Sequence, residues 1–254
     1  MPRSRLVAPV LGFALVLAGC ATVPPETEPE ARAEYFERND PLEPLNRAIF
    51  AFNEAFDHLL FRPAAEAYRI LVPKPVRTGV GNVIDNLLVP RTAANLLLQG
   101  RADDAAKSMA RFIINSTLGV FGIFDVASEM GIEPRFEDFG QTLAVWAGTT
   151  NGGPYLVLPI LGPSTLRDAF ALPIDMAMDP WTWVGQGDQV QALRVGRNAV
   201  QAIDGREQLI EPIDALRAQS LDFYAALRSV YLQRRERDIR NEGRPQVRRF
   251  FDER

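Results

Sequence analysis

The segment Gly152–Asp168 constrains the fold more than any other stretch of this chain. Its seven consecutive apolar residues, Tyr155–Leu161, lie between Gly/Pro sequences and include Pro159. Proline lacks a backbone donor, so the run suits neither a helix interior nor a central strand. Fully extended it reaches about 24 Å, and a spanning helix needs roughly 20 apolar residues. The run therefore cannot cross a bilayer by itself, and either protein core or lipid must cover it.

The N-terminus predicts a lipoprotein signal peptide over residues 1–19. Arg3 and Arg5 precede the apolar stretch Leu6–Ala18, whose 13 residues are too few for a membrane span. The stretch ends in LAGC, with small residues before Cys20, the chain's one cysteine. This ending resembles the lipobox of bacterial lipoproteins, and the resemblance implies cleavage before Cys20 and acylation of that residue. The alternative is an ordinary signal peptide with a cysteine there by chance.

Residue 21 indicates the membrane that holds the mature chain, and the net charge indicates which class of partner it does not bind. Residue 21 is alanine rather than aspartate, which in the lipoprotein sorting pattern favours the outer over the inner membrane. Two or more acyl chains anchor a protein stably. The 28 basic residues, two of them in the signal peptide, stand against 32 acidic ones, so the mature net charge is −6. An acidic chain argues against a nucleic-acid partner, and a single cysteine excludes an intrachain disulfide.

The pattern beyond Cys20 predicts an acidic, proline-rich flexible tether over residues 20–38, one domain over 39–240 and a charged, disordered tail over 241–254. A helical stripe opens the domain: Leu45, Ile49, Phe52, Phe56 and Leu59 follow one another at spacings of 4, 3, 4 and 3. Strict alternation of apolar and polar residues occurs nowhere over a useful length. We therefore predict an all-α domain of mostly amphipathic helices with apolar loops bounded by glycine and proline.

Prolines and polar residues predict several helix boundaries. Asp40 before Pro41 is a favourable N-cap. We expect Arg62-Pro63 to interrupt the first long helix and Pro90 to start a short helix over 91–99. We expect Ser164 to cap a helix over 165–170.

Residue types argue against catalysis. His58 is the only histidine, and no free cysteine joins it, so a His/Cys metal site is excluded. No Gly-x-Ser-x-Gly elbow occurs. Gly79-Val80-Gly81 lacks the third glycine of a dinucleotide loop. We expect no catalytic residue, no metal ligand and no cofactor.

Three segments are too apolar for an ordinary surface and too irregular for simple core packing: Leu118–Ala127, Tyr155–Leu161 and Ala169–Val184. They form a lipid-contacting surface, or they bury one another in a normal globule. Trp181 and Trp183 fit either reading, because tryptophan is common in cores and is also favoured at bilayer interfaces.

A series of short motifs runs in order from about residue 39 to 235. They are NDPLEPLNR (39–47) with Phe50 and Phe52-Asn53, Gly81-Asn82 with Asn86-Leu87, Leu98-Gln99-Gly100, RFIINSTLG (111–119), Phe124-Asp125-Val126-Ala127, EDFGQTL (137–143), Gly153-Pro154-Tyr155 through Leu166-Arg167-Asp168, and Tyr231-Leu232-Gln233-Arg234-Arg235. Each is weak alone, but the ordered set behind a lipobox is specific. The chain resembles the MlaA/VacJ family of outer-membrane lipoproteins.

This resemblance implies a helical, ring-like protein embedded in the outer membrane from its periplasmic face, with an amphipathic channel. It implies partners: phospholipid, the outer-membrane bilayer, a trimeric porin of the OmpC/OmpF type, a periplasmic MlaC-like lipid carrier and, indirectly, an inner-membrane ABC transporter. Such a protein removes phospholipids misplaced in the outer leaflet and passes them to the carrier, without catalysis. A porin-associated scaffold that moves no lipid is the alternative, and a phospholipid hydrolase is a third.

Within that reading we predict three sets of site residues. Cys20 is the lipidation site. Candidates for the lipid path or for membrane contact are Phe52, Asn53, Tyr155, Leu156, Val157, Leu158, Pro159, Ile160, Leu161, Trp181 and Trp183. Candidates for polar or structural positions are Asn46, Arg47, Asn115, Arg167 and Asp168. For Asn46 and Asn115, a purely structural role in capping and tying helices is the alternative.

Overall fold

The computed structural model describes residues 25, 27–38, 40–183, 185 and 187–242. The predicted signal peptide, Cys20 and all but the first two residues of the predicted tail lie outside these residues. Helices dominate the described part, and the all-α prediction is confirmed. The elements in chain order are α1 (Pro29–Arg38), α2 (Glu43–Phe56), a π-helical turn (Asp57–Phe61), α3 (Arg62–Leu71), α4 (Lys74–Leu98), α5 (Ala102–Thr117), α6 (Val126–Glu129), α7 (Phe139–Ala147), β1 (Tyr155–Leu158), β2 (Gly162–Thr165), α8 (Leu166–Met178), a 3-10 turn (Pro180–Thr182), α9 (Asp188–Gln208), α10 (Ile210–Gln219) and α11 (Phe223–Arg240).

The apolar run at residues 155–161 forms a β-hairpin, which the sequence did not predict. β1 and β2 pair antiparallel, with Tyr155 opposite Thr165 and Leu158 opposite Gly162. Pro159 follows the last paired residue of β1, so its missing N–H removes no ladder hydrogen bond. Ile160 turns the chain in the left-handed region, with φ of 68°.

Two predicted helix breaks were wrong. The chain stays helical from α2 through the π-helical turn into α3, and Pro63 lies in the first turn of α3, where a missing N–H is tolerated. Pro90 lies inside α4, a helix of 25 residues. An interior proline costs about 3 kcal/mol, and the extensive packing of α4 against α5 offsets that cost.

The hydrophobic core surrounds the hairpin. Tyr155 and Val157 pack with Tyr224 and Leu232 of α11. The rings of Tyr155 and Tyr224 meet edge to face with centroids 6.2 Å apart. From the other side, Phe50 of α2 packs against the same cluster. The hairpin is therefore held between α2 and α11.

Asp40 does not cap α2, whose N-cap is Leu42. Its carboxylate is instead buried, 3.0 Å from Nη1 of Arg228, and it accepts hydrogen bonds from Asn46 Nδ2 at 2.7 Å and from the Tyr224 hydroxyl. A buried charge needs such partners. This contact ties the start of the domain to α11.

Two further boundaries concern α8 and α1. The side chain that caps α8 belongs to Thr165, which accepts a hydrogen bond from the N–H of Asp168 at 3.3 Å, rather than to Ser164. The second half of the predicted tether is helix α1, which packs against α11. There the guanidinium of Arg32 forms an ion pair with the Glu236 carboxylate, which is almost fully buried.

Candidate functional site

A polar cleft opens between α4, α5 and the chain that follows Ile123. The cleft is shallow and open to solvent. Its lining comprises Asn82, Asp85, Asn86 and Val89 from α4, Ser108, Arg111 and Asn115 from α5, and Asp125, Pro134, Arg135 and Phe136. On each helix these residues recur every three or four positions, so they share one face. Of this set the sequence analysis had selected only Asn115.

Arg111 and Asn115 hold the floor of the cleft. Arg111 Nη2 donates to Asp125 Oδ1 at 2.8 Å, and Asn115 Nδ2 donates to the same oxygen at 2.9 Å. The amide oxygen of Asn115 accepts the N–H of Ala127 at 2.9 Å. Burial alone would raise the pKa of Asp125, but hydrogen bonds from Ser128 and Asn115 and the Arg111 charge outweigh it and lower that pKa. Asn115 therefore ties α5 to the start of α6.

The apolar loop between α5 and α6 is anchored at its base and strained at its tip. Asn82 Nδ2 donates to the carbonyl of Ile123 at 3.0 Å, and Gly122 packs directly on the Asn86 side chain. Val120 and Phe121 both adopt left-handed backbone conformations, with φ of 52° and 57°. Bulky and β-branched residues rarely occupy that region. Phe121 is 80% exposed, so the strained conformation presents an apolar side chain outwards.

Two asparagines of α2 hold the hairpin in a similar way. Asn46 donates to the carbonyl of Tyr155 at 3.0 Å and accepts the N–H of Val157 at 2.9 Å. Asn53 donates to the carbonyl of Leu158 at 2.9 Å and accepts the N–H of Ile160 at 2.7 Å. Seven helical residues rise about 10.5 Å, close to the length of three strand residues. The two side-chain amides therefore bind the hairpin backbone in register, as a neighbouring strand would.

The apolar run divides between core and surface. Tyr155 and Val157 are buried in the core, and Leu156 and Leu158 are half-buried. Pro159, Ile160 and Leu161 form an exposed tip, and half of Phe52 on α2 is exposed as well.

The two candidate tryptophans differ in exposure. The Trp181 indole N–H donates to the carbonyl of Leu87 at 3.2 Å, and its ring is partly buried. The Trp183 indole N–H donates to the carbonyl of Ala177 at 2.7 Å, while 73% of the residue is exposed. Because both N–H groups are bonded internally, the exposed surface of Trp183 is mainly its apolar ring.

The remaining polar candidates make ion pairs within the protein. Arg47 pairs with Glu43 at 2.7 Å and with Asp222 at 2.5 Å. Arg167 pairs with Asp168 at 3.0 Å, and Asp168 also accepts hydrogen bonds from Arg235. These contacts join α2 to α11, and α8 to α11.

Exposed apolar residues recur in adjacent pairs over the described surface. Examples are Leu59-Leu60, Ile70-Leu71, Leu97-Leu98, Val120-Phe121, Val145-Trp146 and Ile160-Leu161. Single exposed apolar residues are ordinary, but clustered ones mark a surface that contacts protein or lipid. Among the described helices, none is long and apolar enough to cross a membrane. Within the same residues, no three His, Cys, Asp or Glu side chains converge as metal ligands.

Comparison with known proteins places this helical domain in a class of lipoproteins. The family model described as MlaA lipoprotein matches residues 38–238. The chain belongs to the MlaA family, and the resemblance found in its motifs is confirmed.

Individual relatives agree with this assignment. The intermembrane phospholipid transport system lipoprotein MlaA of Escherichia coli K12 is 34% identical over 238 residues, which cover 92% of this chain and 88% of that protein. An uncharacterized protein of Rickettsia typhi is 36% identical over 201 residues, covering 79% and 78%. A solved structure, reported as the structural basis for maintenance of bacterial outer membrane lipid asymmetry, matches with a TM-score of 0.68 and 32% identity. The match covers 80% of this chain and all of that one.

Proposed function

We propose that this protein removes mislocalised phospholipids from the outer leaflet of the outer membrane and hands them to a periplasmic carrier. The observation that carries the proposal is the pairing of a polar cleft with exposed, anchored apolar loops on one small domain. Relatives named for intermembrane phospholipid transport support it, as does the similar structure reported for outer membrane lipid asymmetry.

The physical requirement is the same for any lipid carrier. A phospholipid headgroup cannot enter hydrocarbon or protein core cheaply, whereas its tails need apolar surroundings. We propose that the polar cleft receives the headgroup, with Asn115 and Arg111 fixing its floor. The apolar tips around Phe121 and around Ile160 contact the acyl chains or the bilayer.

We further propose that the domain is lipid-anchored at Cys20 and embedded in the outer membrane from the periplasmic face. In this orientation the tips of the two loops and the Trp183 ring enter the apolar layer, while backbone polar groups at the loop bases stay bonded to asparagine amides. Irregular backbone at membrane depth requires such internal partners. The tips therefore insert without exposing unpaired backbone at their bases.

The transport hypothesis also implies protein partners, and it requires no catalysis by this component. We propose a trimeric porin beside the domain and an MlaC-like carrier that receives the lipid and delivers it to an inner-membrane ABC transporter. No catalytic step and no cofactor belong to this component.

The test is complementation of a deletion strain of the native host with Phe121 variants. Aspartate tolerates left-handed backbone better than most residues, so Phe121→Asp changes polarity without adding backbone strain. We expect Phe121→Leu to restore normal outer-leaflet phospholipid, measured by digestion of intact cells with added phospholipase, and Phe121→Asp to fail at equal expression. Normal phospholipid with Phe121→Asp would remove the loop from the transport path.

Assays of the purified protein distinguish transport from the scaffold and hydrolase alternatives. Transport predicts that phospholipid co-purifies with the protein and passes to the carrier. A scaffold would bind porin without carrying lipid, and a hydrolase would release fatty acid from the bound phospholipid.

A further inference from the structure

Asp40 and Asn46 form a buried chain of hydrogen bonds that reaches the hairpin. Asn46 is 1% exposed, and its Nδ2 donates to Asp40 Oδ1 at 2.7 Å and to the carbonyl of Tyr155 at 3.0 Å. Its Oδ1 accepts the N–H of Val157 at 2.9 Å. An amide turned through 180° would place acceptor against acceptor and donor against donor. The three contacts therefore allow one orientation of the Asn46 side chain.

The Asp40 carboxylate is held from its other side by α11. Its Oδ2 accepts a hydrogen bond from the Tyr224 hydroxyl and lies 3.0 Å from Nη1 of Arg228. The Asp40 side chain has no exposed surface. An ionised carboxylate has only acceptors, so it faces donors at both oxygens. An amide of the same shape at position 40 would turn one donor towards a neighbouring donor.

We propose that Asp40 is a positioning residue for the hairpin: its carboxylate fixes the Asn46 amide, which in turn fixes β1 and the apolar tip beyond it. The inference rests on the proposed transport function, in which that tip contacts acyl chains or the bilayer. In the described two-stranded sheet, β1 pairs with β2 on one side only. Asn46 supplies hydrogen bonds on the other side, at Tyr155 and Val157. The position of β1 therefore depends on a side chain that Asp40 orients.

Hydrogen exchange of the full-length protein in non-ionic detergent, resolved to single amides, tests this role. In Asp40→Asn the charge of Arg228 attracts the new amide oxygen, so the new NH2 group faces Nδ2 of Asn46. We expect the Val157 amide to exchange roughly fivefold faster, a factor that the loss of about one net hydrogen bond accounts for. The Ile160 amide has a separate anchor and serves as the internal reference.

Two further variants separate hydrogen-bond polarity from packing. Tyr224→Phe is the matched control, because it removes one bond to the same carboxylate and leaves Oδ1 facing Asn46. The relative exchange rate of Val157 should not change in it. In Asp40→Asn with Arg228→Met, no cation attracts the amide oxygen, which can turn towards Asn46, and the rate should return towards wild type. An unchanged rate in folded Asp40→Asn, or an equal increase in Tyr224→Phe, would overturn the proposal.

A second pair of variants keeps the test decisive if Asp40→Asn does not fold. Removing one partner of a buried ion pair is costly, whereas replacing both by apolar groups of similar shape is often tolerated. Asp40→Leu with Arg228→Met removes the charge and the acceptor together, so the Val157 amide should still exchange faster. Asp40→Asn with Arg228→Met keeps an acceptor, so that amide should stay protected. Equal rates in these two double variants would refute the role of Asp40.

Outer-leaflet phospholipid in a complemented deletion strain connects this role with transport. At equal expression, we expect Asp40→Leu with Arg228→Met to leave that phospholipid raised and Tyr224→Phe to restore the wild-type amount. Normal phospholipid in a variant whose Val157 amide exchanges faster would refute the role of Asp40 in transport. If the deletion strain itself keeps normal outer-leaflet phospholipid, the proposed function fails. The exchange rates then show by themselves whether Asp40 positions the hairpin.

Discussion

Replacing Arg235 should destabilise the fold strongly at neutral pH and much less in acid. The guanidinium binds Asp138 through two nitrogens at 2.6 and 2.7 Å and Asp168 through two at 2.9 Å. Asp138 caps α7 and Asp168 lies in the first turn of α8. One side chain of α11 therefore holds the N-termini of two other helices, and 13% of it is exposed.

The magnitude follows from the two carboxylates. Removing one member of a buried ion pair costs about 3–5 kcal/mol, because the other charge stays buried without compensation. Arg235→Met leaves Asp138 without its cation, whereas Asp168 keeps Arg167 at 3.0 Å. We therefore expect a loss near the lower end of that range. Arg235→Lys, which keeps the charge but not the paired geometry, should lose about half as much.

The pH dependence has a definite sign. Burial alone would raise the pKa of Asp138, but hydrogen bonds from Arg235 outweigh it and lower the pKa from 3.8 to about 2. A lowered carboxyl pKa stabilises the fold above pH 3.8, by roughly 2 kcal/mol here, and this contribution disappears as the pH falls through about 2. Without Arg235 the buried carboxylates protonate at higher pH. The cost of Arg235→Met should therefore shrink between pH 7 and pH 3.5.

Urea unfolding of the non-acylated Cys20→Ala chain in detergent, followed by circular dichroism, measures these free energies at both pH values. A loss below 1 kcal/mol for Arg235→Met at pH 7, or an equal loss at pH 3.5, would refute the role assigned to this cluster. In the double variant, adding Asp138→Asn should recover part of the loss at pH 7, because the uncompensated charge is gone.

Three further predictions concern close contacts and strained backbone. Gly140→Ala should lower stability by about 1–3 kcal/mol, since a Cβ there collides with Asp168 and Arg235; an unchanged melting temperature would contradict this packing. Asn53→Ala should speed amide hydrogen exchange at Ile160 and leave Val157 protected by Asn46, and equal exchange at both sites would argue against separate anchors. Val120→Asn should keep or raise the melting temperature, because asparagine tolerates positive φ better than valine; a clear drop would show that the valine side chain stabilises the loop.

Helical stripes made the helices predictable, but the hairpin escaped detection for a physical reason. The outward residues of β1, Leu156 and Leu158, are apolar and half-buried, so the strand shows no alternation. The prediction that Pro90 starts a new helix was wrong because helix propensity is a local property. Packing against α5 keeps α4 helical through Pro90. Asp40 was predicted to cap α2 because aspartate is a favourable N-cap residue. Its actual partner, Arg228, lies 188 positions away, and no local pattern reports that contact.

The candidate site was predictable only in part. The motifs singled out Asn46 and Asn115, and in the structure Asn46 bonds to the carbonyl of Tyr155 and Asn115 to the carboxylate of Asp125. The cleft itself requires α4 and α5 to face each other, which no spacing within either helix reports. Arg111 and Asn82 became visible as lining residues only once that pairing was known.

The contact between Arg32 and Glu236 has a geometric consequence for the attachment of this protein to a membrane. It brings α1 against the last helix, so both ends of the described chain meet in one region. Cys20 precedes Pro29 by nine residues, which span at most about 30 Å. An acyl anchor on Cys20, as proposed above, would lie within about 30 Å of Pro29, on the α1–α11 side of the domain.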